Sequence, residues 1–208
     1  MTASKTSEEA ILAAARKVFG IRGREGARMQ EIADEAGINK ALLHYYFRSK
    51  EKLFEIVFQE AFSKFARNVN ELLRSEASFD QKIDSFIENY ITLLIDNPYL
   101  PGFVIGEIGS NPERLLDFIS SRGILLDSFQ EQVSEEYQKG NIRKIDGKHL
   151  FVNIIALCVF PIIGRPILKG LFFSNDNSAF DTFLLTRQEE VKRFIHSSLR
   201  PDIQNDDL

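Results

Sequence analysis

The sequence has 208 residues, 44% hydrophobic and 27% charged, an ordinary balance for a folded soluble chain that excludes wholesale disorder. A single cysteine excludes an internal disulfide framework and a multi-thiolate zinc site, and three histidines, far apart at 44, 149 and 196, leave little for any other metal. The net charge of −4 conceals an asymmetry: residues 1–50 carry +3 (nine Lys and Arg, six Asp and Glu) and residues 51–208 carry −7 (seventeen and twenty-four).

Apolar residues recur at spacings of three and four nearly throughout, which predicts an all-α fold. The first helix is expected from Ser7, with Thr6 as N-cap and Glu9 closing a capping box. Its inward stripe is Ile11, Ala14, Ala15, Val18 and Phe19, and Gly20, Gly23 and Gly26 end it. Short second and third helices follow, Met29 to Ala36 and Lys40 to Phe47. A long fourth runs from Lys50 to about Leu73, burying Leu53, Phe54, Val57 and Phe58. The next spans Phe79 to Asp96 and stops at Asn97-Pro98.

Tyr99 to Ile108, with Pro101 and two glycines, reads as a broken segment. Asn111 as N-cap and Pro112 at the first helical position open a helix expected to reach Lys139. Gly140-Asn141 turns the chain. Two last helices, Gly147–Ile163 and Ser178–Leu199, precede an acidic tail from Pro201. The apolar run Leu150 to Gly164 is fifteen residues, short of the ~20 that cross a bilayer. It also contains Asn153 and Pro161, so it predicts a buried helix and no membrane. No basic-apolar-small leader pattern opens the chain, so a cytoplasmic location is expected.

The informative stretch is Met29 to Lys50, MQEIADEAGINKALLHYYFRSK, which has no acid after Glu35. Ile32-Ala33 followed by Ala36-Gly37-Ile38 has the helix-turn-helix pattern. Ala33 is small where the next helix crosses, and Gly37 can take the left-handed conformation that reverses the chain. Ile38 and Leu43 plug the two helices against the first, and Asn39 can cap the third. At about 100° per residue from Lys40, His44 falls near 40°, Ala41 near 100° and Tyr45 near 140°. Leu42, Leu43 and Phe47 occupy the other side, and Tyr46 lies on the boundary. One arc is basic, aromatic and hydrogen-bonding and the other apolar, which suits a helix seated in a DNA major groove. Lys40 can donate to guanine edges or phosphate, Ala41 permits close approach, and His44 and Tyr45 can bond phosphates or bases.

With these elements in order, residues 8 to about 58 resemble the DNA-binding domain of the TetR family of bacterial transcriptional regulators. The resemblance rests on the helix ending at Phe19, on Ile32-Ala33-x-x-Ala36-Gly37-Ile38, and on Leu43-His44-Tyr45-Tyr46-Phe47-Arg48-Ser49-Lys50-Glu51-x-Leu53. It covers a quarter of the chain, and the rest is similar only in architecture and length. It implies base contacts from Lys40, Ala41 and Gln30, phosphate contacts from His44, Tyr45 and Tyr46, and a phosphate-binding Lys50 at the start of the fourth helix. Arg28 stands where the family commonly has Ser or Thr, losing a cap and offering another phosphate contact. His44 and Tyr46 invert the more usual Tyr-to-His order. The division implied is residues 1–50 for DNA binding, joined through a long helix to residues 51–208 for effector binding and dimerisation.

The resemblance further implies a homodimer through the last two helices. Independently, Phe151, Ile154, Ile155, Leu157, Cys158, Phe160, Ile162 and Ile163 make the Gly147–Ile163 helix apolar almost all round, more than one chain covers easily. Two-fold symmetry then predicts a pseudo-palindromic operator. Phe86, Phe103, Phe118, Phe129 and Phe151 are candidates for a pocket taking a small apolar or amphipathic effector. No cofactor, metal site or catalytic group is expected. Cys158 lies in an apolar run, Glu135-Glu136 and Glu189-Glu190 diverge by about 100° on a helix, and no phosphate-cradling glycine motif is present. The expectation is a DNA-binding regulator, in the first place a repressor. The alternative is an all-α small-molecule-binding or scaffold protein with no working DNA-binding role.

Overall fold

The computed structural model describes residues 2–110, 112–123 and 126–201, with side chains from residue 7 onward. Eleven helices are found among them: α1 (Thr2–Gly26), α2 (Met29–Glu35), α3 (Lys40–Tyr46), α4 (Lys50–Arg74), α5 (Phe79–Asp96), α6 (Leu100–Ser110), α7 (Pro112–Ser120), α8 (Leu126–Gln138), α9 (Gly147–Ile163), α10 (Arg165–Phe172) and α11 (Asn177–Leu199). No strand occurs among the described residues, so the fold is all-α. Two compact units form, one from Met1–Phe65 with Leu93–Phe118, the other from Ala66–Thr92 with Ile119–Leu208. This division follows packing, whereas the 1–50 and 51–208 division follows the motif.

In the first unit the stripe Ile11, Ala14, Ala15, Val18 and Phe19 of α1 is buried, as are Ile32 and Ala33 of α2, Leu43 of α3, and Leu53, Phe54 and Val57 of α4. Phe19 meets Phe54 edge-on with ring centroids 4.7 Å apart, and Phe54 meets Tyr99 at 5.7 Å. Each such ring taken out of water contributes about 1.5–3 kcal/mol, which ties the two short helices to the longer ones.

The second unit buries Ile83, Ile87 and Ile91 of α5, Leu150, Ile154 and Cys158 of α9, and Phe180, Leu184, Val191 and Ile195 of α11. A polar seam joins α5 and α11 in antiparallel order. Asp84 pairs with His196 at 2.7 Å, Glu88 with Lys192, and Thr92 accepts from Gln188 at 3.3 Å. Steps of four along both helices keep the three pairs on one line.

Four expectations are corrected. α1 starts at Thr2, so the helix begins before the expected N-cap Thr6. Continuing the helix adds one backbone bond per residue, and nothing in Thr2–Thr6 breaks it. Tyr99 to Ile108 is not broken, because Pro101 is the second residue of α6, where no helical N–H bond is required. The helix expected from Pro112 to Lys139 is two: α7 ends at Ser120, the chain tightens into i→i+3 bonds (Gly123 N–H to Ser120 O, 2.9 Å), and Gly123 takes φ 58°. A further helix, α10, lies between the two expected last ones, with Pro166 in its first turn.

The Leu150–Gly164 run is buried on one face only. Leu150, Ile154, Cys158 and Pro161 point in, whereas Val152, Phe160 and Ile163 are exposed. No single helix among the described residues is long and apolar enough to cross a membrane. The α9–α10 pair passes that test only jointly and is bent by 72°. The expected cap Asn111 and the tail beyond Pro201 lie outside the described residues.

Candidate functional site

Local chemistry sets the geometry of α2 and α3. Arg28 is the N-cap of α2 in extended conformation, with no side-chain cap bond, as its loss of a hydroxyl implies. At the other end Gly37 takes φ 67°, and the backbone closes with Gly37 N–H to Asp34 O (3.1 Å) and Ile38 N–H to Ala33 O (3.0 Å). These two bonds satisfy carbonyls that α2 would otherwise leave open. The chain then re-enters a helix at Asn39, whose Oδ1 accepts from the Leu42 N–H at 2.8 Å. With one lone pair of its oxygen engaged there, Asn39 keeps its two amide N–H groups and a second lone pair for any other partner.

On α3, Lys40, Ala41, His44 and Tyr45 are exposed, Tyr45 to 80%. Leu43 and Phe47 are buried, while Leu42 and Tyr46 are half-buried. Tyr45 and Tyr46 meet edge-on at 5.5 Å. His44 Nδ1 lies 3.4 Å from the Arg48 carbonyl. Arg28 and Gln30 are exposed on α2, where Gln30 Nε2 donates to Asp34 Oδ1 at 2.8 Å.

Lys50 is half-buried, and its Nζ donates at 3.2 Å to the Glu25 carbonyl, just past the kink that the non-helical Gly23 makes in α1. Ser49 caps α4, its Oγ accepting from the Lys52 N–H at 3.2 Å. The adjoining Glu51 carboxyl is held below the usual range, first by its own backbone N–H and then by the Ser49 hydroxyl. Arg48, exposed between α3 and α4, is a basic group absent from the expected site residues. Its signal was the acid-free run from Ala36 to Lys50.

The five candidate pocket phenylalanines do not share a cavity. Phe86, Phe129 and Phe151 line a hollow of about 30 Å³ in the second unit, walled by α4 (Val69, Leu72, Leu73), α5 (Phe79, Lys82, Ile83), α8 (Leu126, Gln132) and α9 (Ile154). Phe86–Phe151 and Phe129–Phe151 centroids are 6.1 and 6.3 Å apart. Phe103 and Phe118 lie instead in the first unit, at 4.2 and 5.3 Å from Phe58. The hollow they line holds Arg114, paired with Glu55 at 2.8 Å. Lys82 and Gln132 went unnoticed in the sequence, since a lysine four residues before Phe86 looks like a solvated neighbour of an apolar stripe.

Cys158 is buried, and burial pushes its thiol up to about 12. A thiol so rarely ionised is not a nucleophile at neutral pH.

Residues 11–57 match the family model described as bacterial regulatory proteins, tetR family. The transcriptional activator FasR of Mycolicibacterium smegmatis is 33% identical over 84 residues, which span 40% of this chain and 38% of FasR. The transcriptional regulator RutR of Escherichia coli K12 is 24% identical over 200 residues, spanning 96% of this chain and 93% of RutR. Among solved structures, the hemolysin II transcriptional regulator HlyIIR is similar with a TM-score of 0.58 and 26% identity, covering 96% of this chain and 99% of its own. These relatives are named as regulators, not enzymes. A helix-turn-helix with this turn and cap, inside an all-α chain similar along its length to such regulators, places residues 11–57 among the bacterial regulatory proteins of the tetR family.

Proposed function

We propose that the chain is a homodimeric transcriptional repressor of the cytoplasm that reads a pseudo-palindromic operator and leaves it when a small apolar or amphipathic effector binds. The observation that carries this reading is the two-sidedness of α3. Lys40, Ala41, His44 and Tyr45 face solvent while Leu43 and Phe47 anchor the helix from behind. Exposing a tyrosine to 80% beside a lysine and a histidine makes sense on a surface meant for phosphates and base edges. Arg28, Gln30, Tyr46 and Lys50 would add contacts around it, and Asn39 would hold the helix N-terminus in position. Residues 1–50 then form the DNA-binding part and residues 51–208 the part that binds effector and pairs.

Pairing through α9 and α11 is supported by their unpartnered apolar residues. Val152, Phe160 and Ile163 of α9 and Leu185 and Phe194 of α11 are all more than one-third exposed. Helix α10 adds Ile167, Leu171 and Phe172, each at least two-thirds exposed. Covering such a patch by a second copy is what a two-fold dimer does. It would carry two α3 helices to half-sites about 34–36 Å apart, one turn of DNA.

Release needs only differential affinity. An effector that binds the second unit better when the two heads are misaligned lowers DNA affinity by that difference in free energy. The hollow walled by α4, α5, α8 and α9 is the place we assign to it, because its lining is apolar and aromatic, and α4, which begins at Lys50, supplies Val69, Leu72 and Leu73 to the wall.

The test is selection of bound fragments from the source genome, followed by titration at fixed salt. Lys40→Ala and Tyr45→Ala should each weaken the selected site by about 1–3 kcal/mol. Fragments retained no better than random DNA would remove the regulator reading and leave the small-molecule-binding alternative. A reporter carrying the selected site distinguishes repression from activation.

A further inference from the structure

Lys82 of α5 lines the apolar hollow beside Phe79, Phe86 and Phe129. It is half-buried, and among the described residues no carboxylate lies within 4.0 Å of its ammonium. Its Nζ donates to the Leu73 carbonyl at 3.0 Å and to Gln132 Oε1 at 3.2 Å. Gln132 is itself engaged, its Nε2 donating to Leu73 O at 3.4 Å and Ser128 Oγ at 3.2 Å. The Leu73 carbonyl is one of the last of α4, so one contact of Lys82 is a helix cap. An ammonium has three N–H groups, however, and a positive charge drawn into an apolar lining without an opposite charge is costly.

We infer that this pocket takes an apolar monoanion, an alkyl or aryl carboxylic acid, whose carboxylate pairs with Lys82 while its hydrocarbon lies among Phe86, Phe129 and Phe151. The inference rests on the reading of this hollow as the effector site and adds the ligand's charge to it. At about 30 Å³ the hollow admits a water molecule or two, so such a ligand must part the rings. Those rings stand on α5, α8 and α9, and their parting displaces helices rather than a loop. A carboxylate is the matching head group, because it accepts the third Lys82 N–H and is ionised at neutral pH.

The experiment is calorimetric titration of the full-length protein at pH 7.5 with decanoate and 4-phenylbutanoate, which separate alkyl from aryl acids. Each is compared with its matched alcohol, decanol and 4-phenylbutanol. At least one acid should bind about tenfold or more tighter than its alcohol, the size of one charged hydrogen bond. Lys82→Met should bring acid and alcohol to equal affinity, and Lys82→Arg should keep the preference. A lysine that merely caps α4 would change stability in Lys82→Met without touching that ratio. Should Lys82→Met not fold, Lys82→Gln serves, since it keeps a donor for Leu73 and removes the charge. Alcohols binding as tightly as the acids, or a preference that survives Lys82→Met, would overturn the assignment of charge and leave the pocket standing. Binding of neither acids nor alcohols would overturn the pocket reading and this inference together.

Discussion

Arg187 of α11 donates from Nη2 to the Leu157 carbonyl of α9 at 3.2 Å. In an uninterrupted helix that carbonyl would accept from the N–H of residue 161, and residue 161 is proline, which has none. The guanidinium therefore supplies from a neighbouring helix the donor that α9 lacks. It explains how Pro161 is accommodated in α9 and why an arginine sits half-buried opposite an apolar helix.

The two residues should be energetically coupled. Arg187→Met leaves a carbonyl without its donor, a loss of about 1–3 kcal/mol. Pro161→Ala restores the helical N–H, so in that background the same substitution should cost about 1 kcal/mol less. Urea unfolding of the four proteins at one protomer concentration measures the cycle. Additive effects would mean that the Leu157 carbonyl does not link them.

What was legible in the sequence was whatever has a local cause. Gly37 had to reverse the chain, Asn39 had a free N–H to cap, and the Ile11–Phe19 stripe repeats at helical spacing. Each behaves as read. The illegible parts depend on context. Pro101 looked like a breaker and instead occupies a first turn, as Pro166 does in α10, a matter of where the preceding chain enters the helix. The spacing of apolar residues continues across Gly123, so the break between α7 and α8 leaves no periodic signature. Phenylalanines are interchangeable on paper. Only packing separates Phe86, Phe129 and Phe151 from Phe103 and Phe118, and only packing brings Lys82 among the first three.

Cys158, the single thiol, offers a report on α9. Burial raises it from 9.0 to about 12, so the folded chain holds a proton that the unfolded chain releases once the pH passes 9. Its contribution to stability is intact below pH 9 and is lost progressively as the pH climbs from 9 toward 12. The slope from this one group is at most about 1.4 kcal/mol per pH unit. Stability of Cys158→Ala should therefore fall less steeply than wild type between pH 9 and 10. Labelling by a disulfide reagent at pH 8 should proceed only at the rate of global unfolding, and fast labelling of the folded protein would refute its burial.

Gly37 isolates the backbone of the α2–α3 turn. A Cβ added there meets nothing within 4 Å, yet φ is 67°. Alanine should therefore cost the strain of the left-handed conformation alone, about 1–2 kcal/mol, and asparagine less. Thermal unfolding of Gly37→Ala and Gly37→Asn checks the order. Equal stabilities would mean that the turn relaxes out of the left-handed region.

Lys50 has two roles that one titration separates. Its bond to the Glu25 carbonyl, in the short turn after the non-helical Gly23 of α1, ties the start of α4 to the end of α1 whether or not DNA is present. If it also neutralises a phosphate, Lys50→Ala should weaken operator and random DNA by the same factor. The plot of log K against log salt should then flatten by about 0.9 for the one lost contact. Lys40→Ala should behave differently, weakening the operator more than random DNA, because a base contact discriminates and a phosphate contact does not. Fluorescence anisotropy on both DNAs across a salt series reads both quantities. A Lys50→Ala protein that is less stable but has an unchanged salt slope would confine this lysine to holding α1 and α4 together.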